Sequence, residues 1–264
     1  KAQVPVRDYE GLVPYIEQVK AGARDVLWPG RPVYWAKTSG TTSGSKYIPI
    51  TQASLPHHLR AARNALLCYV HETGRAEFLA GHMIFLSGSP ALEDVGGIPT
   101  GRLSGIVNHH VPAYLRRNQL PSYATNCIAD WEAKIAAIVE ETLTAPMTLI
   151  SGIPPWVQMY LDKLQQRAGR PIQEIFPDFS LLVHGGVNFA PYQTKLFDTI
   201  GKPVDTIETY PASEGFIAFQ DSQQEEGLLL QLDSGLFFEF IPTDQYFSAQ
   251  PPRLCVEEVE LGVD

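Results

Sequence analysis

The sequence predicts an α/β fold in which mixed sheets are flanked by helices and the carboxyl-terminal part is rich in strands. Apolar runs of strand length alternate with longer segments whose apolar residues recur at helical spacing. Hydrophobic residues make up 44% of the 264 residues, so the chain can bury a sizeable core. Beyond about residue 220, apolar and polar residues alternate as in strands. We therefore expect an α/β core over residues 1–220 and a strand-rich segment of the same large domain over residues 221–264.

The individual elements follow from local patterns. Apolar residues keep helical spacing over residues 55–73, and a second helix is predicted at 129–144, where Asp130 can cap the start and Pro146 stops the end. Pro155 is suited to open a third helix that runs to residue 168, and a short helix is expected at 192–200. Strands are predicted at 33–36, 47–50, 83–87, 147–151, 181–184, 204–208, 216–219, 228–232, 236–241 and 253–261.

The segment between the first two strands has the composition of a polyphosphate cradle. Glycines allow backbone N–H groups to face an anion, hydroxyls add rotatable donors, and a lysine adds a positive charge. All three residue types lie within nine positions here. They are Thr38, Ser39, Gly40, Thr41, Thr42, Ser43, Gly44 and Lys46. ATP is therefore the expected ligand.

This segment departs from two well-known loop motifs. A Walker A loop has four residues between its first glycine and its Gly-Lys pair, whereas Gly40 and Gly44 enclose three and Tyr47 follows Lys46. Ser43 and Lys46 match the Ser-x-x-Lys motif of serine acylases, but the accompanying Ser-Asp-Asn and Lys-Thr-Gly motifs are absent from the sequence. A flexible Ser/Gly linker is disfavoured because a strand is predicted on each side.

Two further turns follow predicted strands. Tyr210, Ser213 and Glu214 leave one strand end together, a set that can stack on a base, contact a phosphate and hold Mg²⁺, which takes only one or two protein carboxylates. The strand at 181–184 runs into Gly185 and Gly186, which lack the Cβ atoms that would block close approach of a base. Taken separately, each could be an ordinary strand-ending turn.

Together the three motifs resemble the adenylate-forming superfamily, which includes acyl-CoA synthetases, luciferase and peptide-synthetase adenylation domains. Within it, the sequence is most similar to the auxin-responsive acyl acid amido synthetases. Residues 38–49 resemble their Thr-Ser-Gly-Thr-Thr-x-Gly-x-x-Lys and Ile-Pro pattern, although one residue rather than two separates Gly44 from Lys46. Residues 210–215 match Tyr-x-x-Ser-Glu-Gly. The likeness runs across nearly the whole chain and implies a luciferase-like large N-terminal domain that binds nucleotide and acyl group over residues 1–220.

The resemblance implies a role for each motif residue. Ser39, Gly40, Thr41, Thr42, Gly44 and Lys46 would surround the ATP phosphates. Gly185, Gly186 and Val187 would form the adenine pocket, and Tyr210 would stack on the base. Ser213 would lie near the α-phosphate or the acyl carboxylate, and Glu214 would bind Mg²⁺. Lys46, Ser213 and Glu214 would be the catalytic set of a two-step ligase that adenylates a carboxylic acid and passes the acyl group to an amino acid.

The sequence also departs from the family pattern. Family members continue to a Tyr-Arg-x-Gly-Asp segment and a small mobile carboxyl-terminal domain, and neither occurs among these residues. We therefore expect an internal fragment of a longer protein, and the isolated fragment could bind nucleotide without turning over. An acyl-CoA or aryl-CoA ligase and a noncatalytic nucleotide- or acyl-binding protein remain as alternatives.

Composition restricts the partners. The formal net charge of −9 argues against nucleic acid and anionic membrane as principal partners. No apolar run approaches the roughly 20 residues of a membrane span. Cys68, Cys127 and Cys255 are too widely spaced for a disulfide framework or a zinc site, which favours a reducing compartment and a cytoplasmic location. The expected partners are a small carboxylic acid and an amino acid, whose identities stay open.

The acyl pocket is less defined by sequence. Candidate stretches are Phe85, Ser87 and Gly88, the glycine-rich loop at 96–101, residues 107–111 and residues 152–156. Each combines apolar side chains with glycine or proline near a predicted strand end.

Overall fold

The computed structural model describes residues 4–39, 44–260 and 262 of the chain. Two β-sheets and the helices around them make up this part of the protein. The strands are β1 (Tyr34–Ser39), β2 (Ser45–Ile50), β3 (His82–Leu86), β4 (Glu93–Val95), β5 (Ile98–Gly101), β6 (Gln119–Leu120), β7 (Met147–Gly152), β8 (Leu181–Gly185), β9 (Asp205–Pro211), β10 (Phe216–Phe219) and β11 (Leu229–Leu230). The helices are α1 (Tyr9–Lys20), α2 (Leu55–Thr73), α3 (Leu103–Asn108), α4 (Ala113–Arg116), α5 (Tyr123–Asn126), α6 (Trp131–Thr142), α7 (Pro154–Ala168), α8 (Ile172–Ile175) and α9 (Ala190–Ile200).

The larger sheet has seven strands in the order β11-β10-β9-β8-β7-β3-β6. Neighbours from β9 to β6 pair in parallel, whereas β10 and β11 are antiparallel. The smaller sheet has the order β2-β1-β5-β4, with an antiparallel β1–β2 pair whose connection is residues 40–44. The mixed sheets and flanking helices confirm the predicted fold class.

Apolar side chains cover both faces of the larger sheet. On β7, Ile150 joins a cluster with α6, α7 and α9, whereas its neighbour Leu149 joins a cluster with α2. Successive strand residues point to opposite faces, so a strand that is covered on both sides becomes a continuous apolar run. The sheet is therefore held rigidly between helices, and its strand ends provide a firm edge for a site.

The helix predictions are largely confirmed. The helix at 55–73 has the expected bounds and ends at Gly74, whose φ of 69° is left-handed. Asp130 caps α6 as expected, because its carboxylate accepts a hydrogen bond from the Ala133 N–H at 2.8 Å. The helix that Pro155 was expected to open begins one residue earlier, at Pro154. No helix in the described part of the chain is long and apolar enough to cross a membrane.

The strand predictions after residue 220 are mostly wrong. β11 is shorter than expected, and the predicted strands at 236–241 and 253–261 reduce to one isolated bridge between Phe240 and Leu254. Two 3₁₀ turns, Thr243–Gln245 and Val256–Glu258, occupy part of this segment. Alternation alone does not make a strand, because each strand needs a neighbour that satisfies its backbone groups. The division of the chain at residue 220 stays a prediction.

Candidate active site

A cavity of about 460 Å³ lies at the carboxyl ends of the parallel strands. Open α/β sheets bind their ligands at this edge. The ends of β3, β7, β8 and β9 form its floor, and α3 and the start of α7 form further walls. Its apolar lining residues are Phe85, Leu86, Val107, Val111, Ile153, Trp156 and Val183.

At Gly185 and Gly186, backbone without a side chain forms part of the cavity wall. A Cβ atom at position 185 would overlap the Thr209 carbonyl oxygen and lie 2.8 Å from Thr209 Oγ1. That hydroxyl donates a hydrogen bond to the His184 carbonyl at 3.0 Å, which locks β8 against β9. Gly186 has a φ of +80°, in the left-handed region that favours glycine. Close strand packing and turn geometry thus require glycine at both positions, and Val187 follows with 39% of its surface exposed.

The turn between β9 and β10 carries the predicted Tyr-x-x-Ser-Glu-Gly motif. Backbone hydrogen bonds between Ala212 and Gly215, at 2.9 and 3.2 Å, close the turn. Tyr210 precedes it with 52% of its surface exposed, Ser213 is half-buried, and Glu214 is exposed. Glu214 makes no hydrogen bond or ion pair with another described residue. The ring of Tyr210 and the carboxylate of Glu214 are therefore available to a ligand.

The described residues of the predicted phosphate loop lie on or next to the smaller sheet. Lys46 is on β2 opposite Thr38, and its ammonium group is 5.3 Å from the centre of the Tyr9 ring. The Tyr9 hydroxyl accepts a hydrogen bond from the Tyr47 N–H at 2.8 Å, which ties α1 to β2. Ser39 ends β1, and Gly44 is exposed with a φ of +87°. The predicted residues Gly40, Thr41 and Thr42 lie outside the described part of the chain.

The predicted site residues therefore fall into two groups. Gly185 and Gly186 line the cavity together with Thr209 and Pro211, next to the turn that carries the carboxylate. Lys46 belongs to the other sheet and is not among the described residues that line the cavity. The turn and the cavity thus share one edge of the larger sheet, and the predicted phosphate loop connects two strands of the smaller one.

His184 forms part of the cavity wall in an uncharged state. It is 3% exposed and stacks on Phe189, with ring centres 3.8 Å apart. Burial lowers the pKa of His184 to about 4, because the charged imidazolium loses its hydration. The ring is therefore neutral at physiological pH and acts as a packing surface behind the Gly-Gly turn.

Lys134 is a residue that the sequence patterns did not single out. Its side chain is 3% exposed, and its ammonium group donates to the backbone carbonyls of Ser87 at 3.0 Å and Asn126 at 2.8 Å. Burial lowers the pKa of Lys134. Ser87 lines the cavity, so this lysine holds one of its walls in place. Its burial could have been predicted from its position in the sequence. Lys134 lies four residues before the core residue Ile138 and so shares its helix face.

Three of the four candidate stretches for the acyl pocket meet in the cavity. They contribute Phe85, Ser87, Gly88, Val107, Val111, Gly152, Ile153 and Trp156. The fourth, the loop at 96–101, is not part of the described lining. Gly96 and Gly97 instead form the turn between β4 and β5, with φ of 63° and 74°, and a Cβ at position 96 would overlap the Lys20 carbonyl oxygen. Asn108, within the predicted stretch 107–111, also lines the cavity, whereas Arg102 and Gln119 line it without having been predicted.

Comparisons with known proteins agree with this architecture. Residues 1–123 match the family model of the GH3 family N-terminal domain. No curated protein matches the chain in sequence. The fold is similar to that of GH3.15 acyl acid amido synthetase in complex with 2,4-DB, with a TM-score of 0.72 and 13% identity over 98% of this chain and 55% of that one. A second structure of GH3.15 acyl acid amido synthetase gives a TM-score of 0.70 at 14% identity, over 98% of this chain and 54% of that one.

A more distant match is 2-hydroxyisobutyryl-CoA ligase in an open conformation with 2-HIB-AMP and CoA. Its TM-score is 0.52 at 13% identity, over 87% of this chain and 48% of that one. The chain thus spans about half the length of these solved structures. The described chain has the fold of the adenylate-forming ligases, and its first 123 residues carry the sequence pattern of the GH3 family N-terminal domain.

Proposed function

We propose that this protein uses ATP to adenylate a carboxylic acid and then transfers the acyl group to an amino acid. One observation carries the proposal. The Gly185-Gly186 turn, the exposed Tyr210 and the exposed Glu214 lie at the strand edge that also holds the largely apolar cavity. A base, a phosphate group and an acyl chain can therefore be bound next to one another.

The nucleotide would use the polar side of this edge. Adenine would lie against the backbone of Gly185 and Gly186 and against Val187, with the Tyr210 ring stacked on it. Two observations support this placement, since the glycines carry no Cβ and the two apolar side chains are substantially exposed. The phosphates would extend toward Ser213 and toward the loop formed by Ser39, Gly40, Thr41, Thr42, Gly44 and Lys46.

The acid would occupy the cavity with its carboxylate directed at the α-phosphate. One carboxylate oxygen attacks the α-phosphorus, a new O–P bond forms, and the bond to the β-phosphate oxygen breaks as pyrophosphate leaves. Ser213 would position the reacting groups, and the Lys46 ammonium would offset the charge on the leaving pyrophosphate. The protein would thus promote adenylation mainly by positioning the reacting groups and by stabilising charge, as in other phosphate chemistry.

Glu214 suits the coordination that Mg²⁺ prefers in nucleotide-binding sites. Within the ranges that the structure describes, no three His, Cys, Asp or Glu side chains cluster into a metal site. Magnesium bound with nucleotide takes one or two protein carboxylates and otherwise water and phosphate oxygens, so a single exposed carboxylate suffices. When bound there, Mg²⁺ would supply further charge neutralisation for the phosphates.

The second step determines the reaction class. An amine of an amino acid would attack the acyl-adenylate carbonyl, and AMP would leave. The match to the GH3 N-terminal domain favours an amino acid as acceptor, whereas the weaker fold match to a CoA ligase keeps thiol acceptors as the second candidate. The net charge of −9 and the three spaced cysteines support a cytoplasmic setting with small-molecule partners only.

Mass spectrometry of reaction products tests this proposal. The longest protein that the gene encodes is incubated with ATP, Mg²⁺ and pooled aromatic and aliphatic acids, then with pooled amino acids or with CoA. We expect an acyl-AMP in the first stage and an amide in the second. A thioester in place of the amide would establish the CoA ligase, and ATP binding without any acyl-AMP would establish a noncatalytic binding protein.

A further inference from the structure

Arg102 is the charged side chain in the described lining of the cavity at the carboxyl ends of the parallel strands. It lies immediately before α3, at an exposed position. Its guanidinium makes no hydrogen bond or ion pair with another described residue. A guanidinium is positively charged and has several N–H donors but no acceptor, so this group is available to an anionic ligand.

Packing on Gly88 determines where this charge lies. A Cβ atom at position 88 would lie 2.6 Å from Arg102 Cδ, 3.5 Å from its Cβ and 3.6 Å from its Cγ. The aliphatic part of Arg102 therefore lies on the backbone of Gly88. The guanidinium is bonded directly to Cδ, so it is close to the same residue. Because Gly88 follows β3, the charge is at the carboxyl end of that strand.

The sheet register relates this charge to the proposed adenine site. Phe85 of β3 is level with Ser151 of β7, and Ser151 is level with Val183 of β8. Gly88 and Gly186 follow Phe85 and Val183 by the same number of residues, so both lie just beyond the same edge of the sheet. Only β7 separates β3 from β8, and two strand spacings amount to about 10 Å. The charge is therefore across the cavity from the Gly-Gly turn.

The surroundings of this charge are positive, although the chain has a formal net charge of −9. The buried Lys134 ammonium donates to the carbonyl of Ser87, the residue before Gly88. Burial is the main cause that lowers the pKa of Lys134, and the positive charge of Arg102 also lowers it. No Asp or Glu side chain is among the described residues that line the cavity. An anionic group at Arg102 would therefore meet two positive charges and no carboxylate of the lining.

A second cavity of about 310 Å³ adjoins the first and shares Asn108 and Gln119 with it as lining residues. Arg116 lines this second cavity, and its guanidinium donates to the Val111 carbonyl at 2.9 Å. The described lining of the second cavity also contains no Asp or Glu. The side of the acyl cavity remote from the Gly-Gly turn thus favours an anionic group and disfavours a cationic one.

The wall between the Gly-Gly turn and Arg102 is apolar. Ile153 follows β7, the strand between β8 and β3, and Trp156 is in the first turn of α7. Phe85 and Val183 line the cavity on the two neighbouring strands. A ligand that reaches from the turn to Arg102 must therefore have an apolar body between its two ends.

We propose that the acid substrate is an elongated dicarboxylic acid, and that Arg102 binds the carboxylate remote from the one that reacts. This inference rests on the proposed function, which places the reacting carboxylate near Ser213 and the Gly-Gly turn. The guanidinium donates hydrogen bonds to both oxygens of the distal carboxylate, a geometry that suits arginine. The apolar side chains of the cavity enclose the body of the molecule.

Titration with non-reactive analogues of the acyl-adenylate tests the inference, because the adenosine end sets the direction of the acyl chain. The two probes are 5′-O-(N-(7-carboxyheptanoyl)sulfamoyl)adenosine and its methyl ester, which differ only in whether the distal carboxyl group is free. Their extended acyl chain is about as long as two strand spacings. Calorimetry uses the longest protein that the gene encodes. We expect the free carboxylate to bind at least about tenfold more tightly, as for hydrogen bonds between charged groups.

Three variants identify the residue responsible. Arg102→Met should reduce the affinity for the free carboxylate to that for the ester and leave the ester unaffected, which also shows that the variant is folded. Arg102→Lys keeps the charge but loses the planar fork, so it should retain part of the preference. Arg63→Met, which removes an exposed arginine from α2, should retain the full preference.

Equal affinities of the two probes for the unsubstituted protein overturn the inference, as does a preference that survives Arg102→Met. An equal loss of affinity for both probes in Arg102→Met would place the arginine at the adenylate itself and would also overturn it. Failure of the proposed function appears differently, because neither probe would then bind and no acyl-AMP would form in the product assay. The inference would fall with it in that case.

Discussion

Replacing Gly185 with alanine tests the close approach of β8 and β9 beneath the proposed adenine site. The new Cβ would overlap the Thr209 carbonyl oxygen and lie 2.8 Å from Thr209 Oγ1 and 3.1 Å from the carbonyl carbon. Two of these three atoms are backbone, so the strands themselves must separate. The affected pairing runs over five residue pairs, from Leu181 with Asp205 to Gly185 with Thr209.

The expected cost follows from this overlap. Overpacking of a rigid site lowers the free energy of unfolding by about 1–3 kcal/mol. Because the overlapping atoms at Gly185 are backbone atoms, we expect Gly185→Ala to lower it by about 3 kcal/mol. For a chain of this size that loss lowers the melting temperature by about 6–12 °C. Differential scanning calorimetry measures the melting temperature, and fluorescence titration measures ATP affinity, which should also fall because the turn is displaced.

Gly169→Ala provides a matched control. Gly169 has a left-handed φ of 67° at the end of α7, and nothing lies within 4 Å of a Cβ placed there. Alanine should therefore cost only about 1 kcal/mol for backbone strain and leave ATP affinity unchanged. An unaltered melting temperature and ATP affinity in Gly185→Ala would refute the argument that close backbone approach requires this glycine.

Two further predictions concern buried titratable groups. His184 has a pKa of about 4 when folded and 6.5 as its reference value, so the unfolded chain binds a proton in this interval that the folded chain does not. Stability should fall as the pH drops from 6.5 to 4, by about 3 kcal/mol from this residue. His184→Gln should flatten that part of a urea-denaturation pH profile, and an unchanged slope would contradict the assignment. Lys134→Ala should cost about 2–4 kcal/mol in the same denaturation assay, because two carbonyls lose a charged donor and a cavity forms. Lys163→Ala, which removes the ion pair with Glu132 on the surface, should change stability little, and equal losses in the two lysine variants would argue against a buried role for Lys134.

Much of the fold could be predicted because its elements are long and periodic. The stripe of apolar residues in α2 recurs over nineteen residues, and a glycine ends the helix. β6 has two residues and α5 has four, so neither carries enough periodicity to be recognised. These two elements nevertheless line a cavity of about 310 Å³ beside the first one, which explains why the sequence offered no hint of it.

The turns of the candidate site could be predicted because their residues are close together in the sequence. The turns at 185–186 and 210–215 were identified because glycine, hydroxyl and carboxylate side chains follow strand ends directly. The glycine-rich loop at 96–101 was assigned to the acyl pocket on composition, although its glycines serve a hairpin turn. Gln119 and Asn126 become neighbours only through strand order and helix packing, which a single sequence does not contain.

Carboxylate-dependent exchange of labelled pyrophosphate into ATP tests the central claim most directly. The measurement compares the unsubstituted protein with Lys46→Ala and Glu214→Ala. Lys37→Ala, which removes a surface ion pair with Glu93 on the same sheet, and Glu226→Ala, at an exposed position, serve as matched controls. We predict exchange that disappears without acid and falls by about 10²–10³ in the two site variants, as for the loss of one group that stabilises a transition-state charge. Near-normal exchange in both site variants would contradict the account.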